Sequence, residues 1–223
     1  MPKNGRLEEC LSNQSKYCYD GTEILVNNFN ILNQEQLETV ERRISALMLT
    51  KIQIQDVPSF KEIFNIDYLC RLHKEVFGKI YPFAGEIRRE NISKGHTPFC
   101  RPEFIASNLI MLLEKIKEDI KKIKSRDDII YFLAYYYSEI NVIHPFREGN
   151  GRITREYLRQ VVVLIDRLYE LDYDLDFSNV DEKDKSNLMN GSIVSAMNGD
   201  LTLLKAFFDS RLKDMCIDYS FKR

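Results

Sequence analysis

The residues of this chain best suited to chemistry lie in one short run, Ile143-His144-Pro145-Phe146-Arg147-Glu148-Gly149-Asn150-Gly151-Arg152-Ile153-Thr154-Arg155. An imidazole titrating near neutrality is the natural base for a proton on an attacking hydroxyl, and His144 is the only histidine near this segment. Pro145 ends whatever helix precedes it, and the glycine-rich stretch restarts one near Gly151, so a loop feeds a helix N-terminus. Such a terminus carries unpaired N–H groups and about half a positive charge, which suits phosphate, and Gly149 and Gly151 let a ligand approach the backbone closely. Arg152 and Arg155 share one face of the first turns, where guanidinium groups clamp outer phosphate oxygens. Glu148 would repel a triphosphate unless a divalent cation lay between, which makes it a Mg²⁺ ligand candidate, and Asn150 can donate to a non-bridging oxygen. No GxxxxGK[ST] and no complete GxGxxG occur, so P-loop and dinucleotide readings fail.

Helices must position this loop. Apolar residues recur at helical spacing over long stretches with only 9 Gly and 6 Pro, which predicts a mainly all-α domain. The spacing of Leu37, Val40, Ile44, Leu47 and Met48 predicts a helix capped by Asn33 and Gln36. Others are expected from about Asp67 to a stop at Gly78, from Pro102 through Ile120, and at roughly 126–142, 151–169, 181–198 and 201–214. The pair flanking His144 is so rich in Ile, Leu, Val and Tyr that it should form the centre. Between 86 and 100 the helical period vanishes and Gly95 and Pro98 break the chain, which reads as an irregular hairpin, a flap. Residues 1–32 read as an arm packed on the body, and Leu171 to Phe177 as an extended segment. The alternating Asp172, Asp174 and Asp176 do not form a calcium loop, because Phe177 and Lys183 stand where Gly and Glu are needed.

Composition bounds the rest. With 223 residues, 44% hydrophobic and 30% charged, the chain is expected to be one globular domain. A net charge of -2 gives no footprint for nucleic acid, so phosphate chemistry must come from a local site. No run approaches the roughly 18 apolar residues of a membrane span, and no signal-peptide core follows the first charges. Cys10, Cys18, Cys70, Cys100 and Cys216 form no CxxC pair and suit reduced thiols, so the expected compartment is cytoplasmic. The alternating charges of Lys115 to Lys124 read as a solvated helical face, the Tyr135-Tyr136-Tyr137 cluster as packing, and His73 as structural.

The segment from His144 to Arg155 matches HxFx(D/E)GNGRxxR at every specified position and so resembles the Fic family of protein adenylyltransferases. The resemblance extends to Tyr17-Cys18-Tyr19, to Phe77–Arg88 (FGKIYPFAGEIR) and to Ala196-Met197-Asn198-Gly199-Asp200, nearly the whole chain. It implies a helical bundle with a short β-hairpin flap and transfer of AMP from Mg-ATP to a Ser, Thr or Tyr hydroxyl of a protein, self-modification included. It also implies His144 as general base, Phe146 as loop anchor and Glu148 as Mg²⁺ ligand. Gly149, Asn150 and Gly151 would form the anion hole, with Arg152 and Arg155 on the outer phosphates. The flap would pair with an extended target segment, with Ile92, Lys94 and His96 as candidates for docking. The expected partners are ATP, a target protein, a small inhibitor protein and a second copy in a homodimer.

Two departures from the family pattern stand out. Phe83-Ala84-Gly85 replaces a WAG segment, and no segment fits the inhibitory (S/T)xxxE(G/N) helix. Ser178 with Glu182 and Ser210 with Asp214 are degraded matches followed by Lys183 and Met215. The competing functions are a non-catalytic nucleotide-binding interaction module and transfer of another group, such as UMP, GMP, phosphocholine or phosphate.

Overall fold

Arg126–Ile143 contains so many apolar residues on every face that it can only be a central helix, and it is one. Ser125 caps its start, its side chain accepting from the Asp128 N–H, and Ile129, Leu133, Tyr136, Tyr137 and Ile140 are among the residues it buries. The computed structural model describes residues 15–94 and 97–214, without the side chains of Lys94 and Thr97. His96, Cys10, Cys216 and Met215 lie outside the described residues. Chain contacts divide the protein into two units, residues 15–55 with 70–86 and residues 56–69 with 87–214.

In chain order the helices are α1 (Gln34–Gln53), α2 (Phe60–Ile63), α3 (Ile66–Phe77), α4 (Pro102–Asp119), α5 (Arg126–Ile143), α6 (Asn150–Tyr169), α7 (Glu182–Asn198) and α8 (Thr202–Arg211). Two small antiparallel sheets accompany them: β1 (Ser93–Lys94) with β2 (Thr97–Pro98), and β3 (Tyr173–Leu175) with β4 (Leu212–Asp214). The mainly helical class with a hairpin flap is as the sequence implies. Among the described residues no helix is long and apolar enough to cross a membrane.

In the first unit Asn33 caps α1 by accepting from the Gln36 N–H at 2.9 Å. The arm folds back through an isolated bridge between Cys18 and Leu25, and Tyr17 packs edge-on against Phe83. His73 is buried, and its Nδ1 accepts from the Gly85 N–H at 2.8 Å, a structural role.

In the second unit α5 packs against α4, α6, α7 and α8. The charged run of α4 is a solvated face of i,i+3 pairs, Lys117 with Glu114 and Lys121 with Glu118, which contribute little to stability. One expectation needs correction. A helix over 201–214 is predicted, but α8 stops at Arg211 and Leu212–Asp214 pairs with Tyr173–Leu175 instead. The extended 171–177 segment offers a partner, and pairing that sets buried Leu212 opposite buried Leu175 outweighs the helical preference of Leu212 and Lys213.

Candidate active site

The turn between α5 and α6 begins where α5 ends at His144, which adopts the left-handed conformation with φ 48 and ψ 65. That conformation costs a residue with a Cβ roughly 1–2 kcal/mol. It persists because the surroundings hold it. The His144 N–H still reaches the Ile140 carbonyl at 2.9 Å, and its own carbonyl accepts from Arg88 Nε at 2.7 Å. The imidazole is fixed on two sides: Nδ1 lies 3.1 Å from the Asn141 carbonyl, and the ring stacks on Phe99 with centroids 3.8 Å apart and planes 16° from parallel. A carbonyl only accepts, so Nδ1 carries the proton there and Nε2 keeps its lone pair.

Phe146 is 1% exposed and anchors the turn in the core. Asn150 closes it, accepting from the Phe146 N–H at 2.8 Å and donating to the Phe146 carbonyl at 2.7 Å. The side chain that the sequence reading offered as a phosphate donor therefore shapes the loop. Asparagine makes such local bonds readily, and what Asn150 presents outward is its main-chain N–H.

Gly149 is the N-cap of α6 at φ 80, a conformation that glycine adopts without strain. Its N–H donates to Glu148 Oε1 at 2.8 Å. Among the described residues the N–H groups of Asn150 and Gly151 have no hydrogen-bond partner, so the positive end of a 20-residue helix is open. A Cβ on Gly151 would stand 3.5 Å from Arg155 Nη1 and 3.8 Å from the Tyr137 hydroxyl, ordinary contact distances. Packing within the protein thus does not require glycine there.

Around this opening stand three charges. Glu148 Oε1 is 3.6 Å from Arg152 Nη2 in a pair whose side chains are 41% and 24% exposed, so neither is locked by burial. Arg155 donates to the hydroxyl of Tyr137, whose phenol is pushed up by burial, with the guanidinium opposing that shift. The structure brings His144, Glu148, Gly149, Asn150, Gly151, Arg152 and Arg155 to one turn and helix start. Of the flap candidates, Ile92 is half-buried on the first leg, its carbonyl accepting from the Phe99 N–H at 3.1 Å, and Lys94 pairs in backbone register with Thr97.

Sequence reasoning passed over three residues. Tyr137, taken there as packing, is a partner of Arg155. Phe99 covers the imidazole. Arg88, 1% exposed, spans the turn and the flap: Nε reaches the His144 carbonyl, Nη2 the carbonyls of Ile143 and Cys100, and Nη1 the Glu90 carbonyl at 2.6 Å. Its N–H donates to the Pro145 carbonyl at 2.9 Å. Arg88 sits in the charged run Glu86-Ile87-Arg88-Arg89-Glu90, and nothing in that run sets it apart from a surface arginine.

A helical fold with unpartnered amides at a helix N-terminus, a fixed imidazole and two arginines on the first turns is an arrangement that could handle phosphate. The chain belongs to the Fic/DOC family, whose model matches residues 63–161. It is 31% identical over 197 residues to the probable protein adenylyltransferase Fic of Escherichia coli, covering 86% of this chain and 89% of that protein. It is 30% identical over 191 residues to the probable protein adenylyltransferase y4lH of Sinorhizobium fredii, with 85% and 91% covered. Among solved structures, BepC of Bartonella tribocorum with bound AMPPNP superposes with a TM-score of 0.74 at 20% identity, covering 89% of this chain and 96% of that one.

Proposed function

We propose that this chain is a protein adenylyltransferase that moves AMP from Mg-ATP to a Ser, Thr or Tyr hydroxyl of a protein, its own chain included. The observation that carries the reading is the pair of unpartnered amides at Asn150 and Gly151, opening beside His144 and flanked by Arg152 and Arg155. The names of the similar Escherichia coli and Sinorhizobium fredii proteins support the same activity.

In this reading the amides of Asn150 and Gly151, with Gly149 admitting the phosphates close to the backbone, and the two guanidinium groups hold the triphosphate and neutralise charge that builds during transfer. His144 Nε2 takes the proton as the target oxygen bonds to the α-phosphorus; the bond from that phosphorus to the bridging oxygen breaks, and pyrophosphate leaves. Glu148 suits Mg²⁺ that arrives with ATP. It is a hard oxygen donor, partly exposed at the rim of the opening, and magnesium is commonly held by one or two carboxylates together with phosphates and water. The cation would supply charge neutralisation at the phosphates. The flap, through Ile92, Lys94 and His96, would hold an extended target segment by strand addition. A second copy in a homodimer and a small inhibitor protein are its proposed partners. Neither degraded inhibitory match has the helical form required: Ser178 precedes α7, and Asp214 lies in β4 beyond α8. A separate inhibitor chain is one proposed restraint, beside a degenerate internal inhibitor or no restraint of this type.

Incubation with α-³²P-ATP and Mg²⁺ is expected to label protein, and γ-³²P-ATP to leave it unlabelled. Label from the γ position alone would replace this reading with phosphate transfer, and label from neither would favour a non-catalytic module. Substitution Gly151→Ala separates folding from function. Stability should stay level or rise by at most about 1 kcal/mol, because alanine is the better helix former. Mg-ATP binding should weaken by about 1–3 kcal/mol, the usual cost of a methyl group forced into a fitted site. Thermal melting and calorimetric titration check the two halves, and undiminished ATP affinity in Gly151→Ala would remove the opening from the reading.

A further inference from the structure

The second leg of the flap is tied to the end of α5 at Cys100 and to its own first leg at Phe99. The Cys100 N–H donates to the Val142 carbonyl at 3.1 Å, the Cys100 carbonyl accepts from Arg88, and the Phe99 N–H donates to the Ile92 carbonyl across the hairpin at 3.1 Å. These bonds set the half-buried Phe99 ring face to face with the His144 imidazole, centroids 3.8 Å apart and 16° from parallel. The imidazole is also held by the Asn141 carbonyl, 3.1 Å from Nδ1. The carbonyl fixes where the edge of the ring points but leaves the plane free to rock about that bond. The phenyl face bears on the plane.

We propose that Phe99 is a positioning residue for the transfer reaction, one that acts through His144. It holds the imidazole plane so that Nε2 meets the target hydroxyl in line, and its π face steadies the imidazolium formed when that proton is taken. The phenyl ring gains and loses no atom; the proton passes from the hydroxyl to Nε2 and later to solvent. This rests on the adenylyl-transfer reading and adds to it a physical tie between the flap and the base. A flap leg drawn away from α5 would unstack the ring and release His144, so target docking and base alignment are parts of one event.

The test uses the full chain, with wild-type labelling from α-³²P-ATP measured first. Phe99→Ala is expected to lower kcat by about 10²-fold, the cost of misplacing a reacting group by an ångström, with KM for Mg-ATP unchanged. Phe99→Tyr, which keeps the π face, should restore most of the rate, whereas Phe99→Leu, which keeps bulk alone, should not. Melting of all three variants near the wild-type temperature shows that folding is not the cause. An independent readout comes from the ring protons of His144, one of three histidines in the chain, which lie in the shielding region of the phenyl face and should move downfield in Phe99→Leu. The inference is overturned if Phe99→Ala keeps its kcat, if the loss falls on KM for Mg-ATP, or if Leu rescues as well as Tyr. A wild-type chain that transfers no α-label while the His144 resonances shift as stated would overturn the transfer reading and leave the stack in place.

Discussion

His144→Ala is expected to reduce transfer of label from α-³²P-ATP by on the order of 10²–10⁴-fold, the range a positioned general base contributes. Mg-ATP affinity should stay as in the wild type, because the imidazole contacts Phe99 and the Asn141 carbonyl and is not part of the amide opening at Asn150 and Gly151. The fold should survive, since the N–H and carbonyl of residue 144 that bond to Ile140 and Arg88 are main-chain groups. His144→Asn makes a useful companion, because asparagine tolerates the left-handed conformation at this position better than alanine does, and it should be equally inactive and somewhat more stable. Initial rates, titration calorimetry and thermal melting report the three quantities separately. Retained transfer in either variant would end the assignment of His144 as base, and a biological effect that survives both would favour the interaction-module reading.

The largest loss of stability is expected at Arg88. Its guanidinium donates to main-chain carbonyls of Ile143, His144, Glu90 and Cys100 from a site that is 1% exposed. Truncation to alanine strands acceptors that were satisfied and opens a cavity, for a cost on the order of 3–5 kcal/mol. Arg88→Lys should recover little of it, because one compact ammonium cannot reproduce a planar fork that reaches four oxygens in different directions. Denaturation midpoints measure this directly, and a lysine variant as stable as the wild type would refute the fork as the stabilising element. At temperatures where Arg88→Lys remains folded its transfer should still be impaired, since the flap and the His144 turn lose their common tie.

How much of this could be read from the sequence depended on how local each interaction is. The cap of α1 at Asn33, the apolar faces of α5 and α6 and the hairpin between residues 86 and 100 are written in neighbouring residues, and all appear where the sequence placed them. The chemistry-bearing run was conspicuous for the same reason, since His144 to Arg155 are contiguous. Arg88 and Phe99 acquire their roles only when the chain returns to place carbonyls and an imidazole against them, and neither has a local pattern that marks it. Leu212–Asp214 is a similar case, a strand created by its partner Tyr173–Leu175. Asn150 shows a different limit: its residue type suits a phosphate donor and a loop clasp alike, and the distances to Phe146 reveal the clasp.

One or two turns beyond the site, α6 buries Glu156, Arg159 and Gln160, with Arg159 gripping both carboxylate oxygens of Glu156 at 2.8 and 3.0 Å, Gln160 reaching Glu156 at 2.9 Å, and Tyr68 donating to Gln160. A helix slipping by one residue swings each side chain by about 100°, and of these bonds the one from Tyr68, which lies outside α6, would break. That tie acts as an index pin that opposes sliding or screw motion of α6 and favours a set clock position for Arg152 and Arg155, while the Glu156, Arg159 and Gln160 bonds travel with the helix. Movement that accompanies turnover then falls to the flap and to the arriving molecules more than to α6.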